Sequence, residues 1–278
     1  MIYETITLSE KYPDATLTLY VCDNAPELKM PPRPAVIVCP GGGYRSLSDR
    51  EAEPIVRKYF GMSMNVYLLR YSLKEKAANF APLIEAALAI KYVRDHAEEH
   101  NTDAEQVYIL GFSAGGHLAA SSGTLWNHPV VRDAVGVSDG SAPEGINRPN
   151  GMILAYPVIT MGGSAHSGTR TNVCGSEDPD EETRKQFSLE LHVDETTPPV
   201  FIWHTVTDQV VNIKNAVLFI NALTEAGVLY EAHIYPKGPH GLALCNKETW
   251  VEREDFMAPE AEDWIEKSAD WIHRNKKA

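Results

Sequence analysis

Short apolar runs alternate along this chain with longer stretches whose apolar residues recur every three or four positions. Residues 2–8 (Ile-Tyr-Glu-Thr-Ile-Thr-Leu) and 15–21 (Ala-Thr-Leu-Thr-Leu-Tyr-Val) alternate in polarity, the period-two pattern of half-exposed strands. The Tyr12-Pro13-Asp14 turn between them predicts an antiparallel hairpin at a sheet edge. Residues 24–34 hold four prolines and read as a surface loop. Ala35-Val36-Ile37-Val38-Cys39 is continuously apolar, as a central parallel strand buried on both faces should be, and ends in Pro40-Gly41-Gly42-Gly43-Tyr44. A helix is expected over about 49–60, capped by Ser48 or Asp49, then a strand over 64–69. Leu83, Ala86, Ala87, Ile90 and Val93 have helical spacing within 82–99, with Pro82 near the start. Further strands are expected at 106–110, 151–156, 200–204 and 230–235, and helices at 212–226 and about 259–275.

This alternation implies an α/β fold: a doubly wound, mostly parallel sheet with an antiparallel N-terminal hairpin. Residues 127–150, with several prolines and glycines, read as a long surface connection. No repeat, low-complexity tract or linker divides the chain, so residues 1–278 are read as one domain. Residues 158–198 form the only insertion large enough for a small cap; they are polar, with Gly162-Gly163 and an acidic run over 177–182.

Composition narrows the function. Of 278 residues, 44% are hydrophobic and 23% charged, enough for one large core. The formal charge of −13 argues against nucleic acid and polyanionic partners, which need a basic surface. Cys22, Cys39, Cys174 and Cys245 are far apart and form neither a zinc signature nor a disulfide framework; Cys39 reads as a buried small hydrophobe. No apolar stretch approaches the roughly 18 residues of a membrane span, and Met1–Thr5 lacks the pattern of a signal peptide. A cytoplasmic location is therefore expected.

The chemistry centres on Gly111-Phe112-Ser113-Ala114-Gly115, which follows a strand-forming run and precedes a helix of small residues. Strand, Gly-x-Ser-x-Gly and helix together describe a nucleophile elbow: the turn pushes the Ser113 hydroxyl out at the end of the sheet, beside helix N–H groups. An incidental Ser in an ordinary strand-to-helix turn is the alternative. A Ser hydroxyl needs a base. Among ten histidines, His240 stands in Lys237-Gly238-Pro239-His240-Gly241, a shaped loop just past a strand. His117 lies on the elbow helix and reads as a packing or supporting group. His204 and His233 fall within strands, and His96, His100, His128 and His273 read as solvated surface residues. Asp208 follows the strand at 200–204 and would orient the imidazole, although it could instead cap the helix near 212; Asp194 and Glu195 are alternatives that precede that strand. Acyl transfer also needs oxyanion donors: Gly42 and Gly43, directly after a buried strand, and the Ala114 N–H. Phosphate binding is the rival use of three glycines, but neither Gly-x-Gly-x-x-Gly nor Gly-Lys-Ser/Thr follows.

Together these residues resemble the α/β-hydrolase superfamily over nearly the whole chain. Cys39-Pro40-Gly41-Gly42-Gly43-Tyr44, Gly111–Leu118, Tyr156-Pro157-Val158-Ile159, Trp203-His204-Thr205 and Pro236–Gly241 look like bacterial acetyl-esterase and acetyl-xylan-esterase-like carboxylesterases. The resemblance implies a Ser113–Asp208–His240 triad, an oxyanion hole from Gly42, Gly43 and Ala114, no metal or organic cofactor and a small-molecule ester substrate; related esterases are often dimers or tetramers, and the sequence leaves open whether this chain forms a homo-oligomer. Pro40 stands where the related hormone-sensitive-lipase-like enzymes have His before the three glycines, which leaves the donor pair open. Short acyl esters, acetylated sugars or xylo-oligosaccharides are the expected substrates. A prolyl-oligopeptidase-type peptidase shares the triad but carries a large extra domain, for which 278 residues leave no room. A non-catalytic binding protein on the same scaffold should have lost a triad member, and all three are present.

Overall fold

The computed structural model describes residues 1–25 and 27–275. Strands β1 (Ile2–Thr7) and β2 (Thr16–Val21) make the expected hairpin, with Ile2 opposite Val21 and Thr7 opposite Thr16. There follow β3 (Arg33–Cys39), α1 (Glu53–Gly61), β4 (Asn65–Arg70), α2 (Ala81–Asp95), β5 (Thr102–Phe112), α3 (Ala114–Thr124) and α4 (Pro129–Val135). The chain continues through β6 (Gly151–Ala155), α5 (Ser167–Cys174), α6 (Glu181–Gln186), β7 (Val200–Thr205), α7 (Lys214–Glu225), β8 (Tyr230–Tyr235) and α8 (Trp264–Arg274).

The eight strands form one sheet in the order β1-β2-β4-β3-β5-β6-β7-β8. The pairs β1–β2 and β2–β4 are antiparallel; every other pair is parallel. From β3 the chain crosses first to β4 on one side, then returns to β5 on the other. That reversal opens a crevice at the strand ends, the place where sheets of this kind bind ligands.

Both faces of the sheet are covered, which explains the unbroken apolar runs. Helices α1 and α8 pack Ile55, Val56, Tyr59, Trp264 and Ile272 on one face, against Val36, Val38, Leu110, Phe112 and Trp203. On the other face α2, α3 and α7 pack Ile90, Val93, Leu118 and Phe219 against Ile37, Ile109, Leu154 and Ile202. Trp264 is fully buried, stands 5.4 Å from the Trp203 ring, and donates its Nε1–H to Ala243 O at 2.9 Å. A buried ring of this size contributes about 3–5 kcal/mol.

The structure departs from expectation in several places. The stretch 49–60 is split into a 3-10 turn (Asp49–Glu51) and α1, and neither Ser48 nor Asp49 caps with its side chain. The break turns the Glu51 side chain inward, and Pro54 then sits in the first turn of α1. The surface connection 127–150 contains α4, which buries Val131 and Val135. Helix α2 stops at Asp95, and α8 begins only at Trp264. His100 is buried, its Nδ1 3.0 Å from the Tyr67 hydroxyl, and is not a solvated surface residue.

Candidate active site

β5 and α3 meet at Ser113, whose backbone has φ 53° and ψ −115°. A non-glycine residue there is strained by about 1–3 kcal/mol. Three backbone bonds hold it: Ser113 N–H donates to Ala155 O (3.0 Å), and Ser113 O accepts from Val158 N–H (3.0 Å) and His117 N–H (3.1 Å). The flanking glycines are required by close approach. A Cβ on Gly111 would lie 1.9 Å from Gly115 O, and one on Gly115 would lie 2.1 Å from Cys39 O.

The structure brings Ser113, His240 and Asp208 together. The Ser113 hydroxyl donates to His240 Nε2 at 2.8 Å, and His240 Nδ1–H donates to Asp208 Oδ2 at 2.6 Å. Asp208 follows β7 and is buried. It does not cap α7, which starts past Ile213; its Oδ1 instead accepts from Val210 N–H (2.8 Å) and Val211 N–H (2.9 Å). Burial alone would raise its pKa. The hydrogen bonds from His204 and His240 and the proximity of His240 outweigh burial and hold the carboxyl well below the usual range. The His240 loop is pinned from two sides. Thr205 and Thr207 hydroxyls donate to Gly238 O at 2.9 and 3.2 Å, and Arg50 donates to Gly241 O at 2.6 Å and Thr249 O at 2.7 Å.

The glycine loop after β3 lies beside Ser113. Gly42 has φ +133°, and a Cβ on it would sit 2.1 Å from Ser46 O. Among the described residues, no protein group accepts the N–H of Gly42, Gly43 or Ala114. These three donors are therefore free among the described residues.

The remaining candidates fall elsewhere. His117 is buried on α3, donates Nε2–H to Phe187 O (2.9 Å) and accepts from the Tyr44 hydroxyl (3.0 Å), so it ties the elbow helix to the 158–198 insertion. His204 is a core residue as expected, but it also reaches Asp208, with Nε2 3.3 Å from Oδ2. His233 pairs with Glu231 on β8, and His128 caps α4. Asp194 closes a turn with Thr196 and Thr197.

Four residues to which the sequence assigned no role belong to this site. Glu51 is buried; its Oε2 accepts from Gly41 N–H (2.8 Å) and its Oε1 from the Tyr156 hydroxyl (2.7 Å). Tyr156 in turn accepts from Ala243 N–H (3.0 Å), and its ring stands 5.1 Å from that of His240. Asn172 on α5 donates to Gly43 O at 2.8 Å. His166 precedes α5 and lines the same cleft of about 550 Å³ as Ser113 and His240. Its one local signal is the His-x-x-Thr spacing of a helix cap. Arg45, Ser46, Ser167 and Val210 also line the cleft. Among the described residues no group of three or more His, Cys, Asp or Glu could hold a metal ion, and no helix is long and apolar enough to cross a membrane.

A mostly parallel sheet with Ser113 on the turn after its central strand, and a histidine and a carboxylate delivered by later loops, is the architecture of the α/β-hydrolases. The BD-FAE profile matches residues 24–223, and the chain belongs to the BD-FAE family of that superfamily. It is 34% identical over 224 residues to endo-1,4-beta-xylanase B of Butyrivibrio fibrisolvens, covering 78% of this chain and 33% of that protein. It is 28% identical to the acetylxylan esterase of Xylanibacter ruminicola, covering 83% of this chain and 45% of the relative. The chain thus spans between a third and a half of these two relatives. Among solved structures, the acetyl ester-xyloside bifunctional hydrolase of Caldicellulosiruptor lactoaceticus superposes with a TM-score of 0.82 at 30% identity, covering 98% of this chain and 96% of that one. A carboxylesterase of Lactobacillus plantarum gives 0.85 at 25%, covering 99% and 98%.

Proposed function

We propose that the chain is a serine carboxylesterase that hydrolyses short-chain acyl esters, acetylated sugars or xylo-oligosaccharides among them, through an acyl-enzyme. The observation that carries this reading is the continuous hydrogen-bonded chain from Ser113 Oγ through His240 to buried Asp208. In this mechanism His240 Nε2 takes the hydroxyl proton as Ser113 Oγ attacks the ester carbon. Asp208 keeps the proton on Nδ1 and stabilises the imidazolium. The carbonyl oxygen, now negative, is received by the free N–H groups of Gly42, Gly43 and Ala114, which need no reorganisation. His240 then protonates the alcohol, which leaves. Water, deprotonated by the same histidine, releases the acid and restores Ser113. Two of the relatives' names support acetyl ester chemistry: one is an acetylxylan esterase, the other an acetyl ester-xyloside bifunctional hydrolase.

The test is labelling by a fluorophosphonate, with hydrolysis of 4-nitrophenyl acetate as readout. The wild-type chain should label and turn over, and Ser113→Ala should do neither, losing roughly a thousandfold or more in kcat while remaining folded. Retained labelling of the Ala variant overturns the assignment.

A further inference from the structure

His166 offers the cleft a hydrogen-bond donor whose direction is fixed by the fold. Its Nδ1 accepts from Thr169 N–H at 3.2 Å and lies 2.9 Å from the Thr169 hydroxyl, closing the first turn of α5. Thr169 is fully buried, so this arrangement is not open to exchange with water. An Nδ1 that accepts carries no proton; in the neutral ring the hydrogen must be on Nε2. Burial, followed by the proximity of His240, lowers the His166 pKa, which favours the neutral ring. Nε2 has no partner among the described residues and is not one of the buried atoms left unpaired. The ring stands over the glycine loop, with Cε1 3.6 Å from where a Gly43 Cβ would be.

Resting on the esterase reading above, we propose that His166 is a specificity residue for the alcohol part of the substrate, its Nε2–H donating to a hydroxyl next to the ester of an acetylated sugar. The leaving oxygen must lie within reach of His240 Nε2. His166 lines the same cleft as His240, and on this proposal its donor meets the alcohol side.

Two variants separate recognition from capping. Asn reproduces the Nδ1 acceptor and is a good helix cap, but places nothing where Nε2–H was. Gln places an amide N–H near Nε2 but caps poorly. The readout is the ratio of kcat/KM on acetylated xylobiose to that on 4-nitrophenyl acetate, whose alcohol has no hydroxyl. His166→Asn should keep the wild-type Tm and lose about five- to tenfold in this ratio, mainly through KM, as loss of one neutral hydrogen bond implies. His166→Gln should lower Tm but hold the ratio within about threefold. A ratio unchanged in the Asn variant, or lost equally in both, overturns the proposal. Absence of wild-type turnover on 4-nitrophenyl acetate overturns the esterase reading itself.

Discussion

At the scale of the residue, Glu51 holds more of the site together than its place in the sequence suggests. One carboxylate oxygen fastens the glycine loop through Gly41 N–H; the other holds Tyr156, which holds the His240 loop through Ala243 N–H. Glu51→Ala leaves two buried donors unpaired, at about 1–3 kcal/mol each, so unfolding in urea should show a loss of about 2–6 kcal/mol. Because the loops it joins carry the proposed oxyanion donors and the proposed base, kcat should also fall roughly ten- to a hundredfold, with KM changing less. Glu51→Gln keeps an acceptor for Gly41 N–H and should recover part of both. Full kcat in a destabilised Ala variant would show that Glu51 supports the fold alone. Ser113, Asp208 and His240 were legible because each stands in a local pattern: an elbow, the residue after a strand, a glycine-framed loop. Glu51 has no such pattern, and the Tyr156–Ile159 motif gives no sign of what Tyr156 holds. Their meaning arises only where three separate loops converge, and the stretch 49–60 reads as a helix whichever way one of its carboxylates turns.

At the scale of the element, strands were the most legible part, since parallel strands covered on both faces are continuously apolar. The short helices were not. α4, α5 and α6 are too short to establish a period, and two of the three begin at a histidine cap, His128 and His166, which is not among the usual capping residues. The insertion carrying α5 supplies His166, Ser167 and Asn172 to the cleft, and the only aliphatic side chain among the described lining residues is Val210. A methylene contributes about 0.8 kcal/mol only where an apolar wall meets it. The kcat/KM for 4-nitrophenyl esters should therefore peak between acetate and butyrate and decline by decanoate. A neighbouring cleft of about 740 Å³ lies across His240 and Val210, with Phe256 and Met257 in its wall among Arg253, Asp255 and Glu260. An optimum at decanoate or longer would assign the acyl chain to that second cleft and refute the short-acyl reading.

At the scale of the whole molecule, two buried groups on the same side of the sheet pull the pH dependence of stability in opposite directions. Burial pushes the His117 pKa down to about 4. An unfolded His takes its proton near pH 6.5, so between these values the unfolded chain binds more protons, and stability falls as pH falls. Burial pushes Glu85 up to about 7, despite hydrogen bonds from Ser72 that lower it. Here the folded chain holds a proton that the unfolded chain releases near pH 4.5. This contribution is complete below pH 4.5 and is lost as pH rises through 7. His100 and His166, both lowered by burial, act on the same side as His117. Glu85 thus offsets part of the acid sensitivity that the buried histidines create, and its removal should expose that sensitivity. Glu85→Gln is expected to be less stable than wild type at pH 4.5. The gap should then move in favour of the variant by about 3 kcal/mol on going to pH 7.5, since the variant has no proton to lose. Urea midpoints at pH 4.5, 6 and 7.5 measure this directly. A gap that stays constant across the three would mean that the Glu85 carboxyl ionises in the folded chain as it does in the unfolded one.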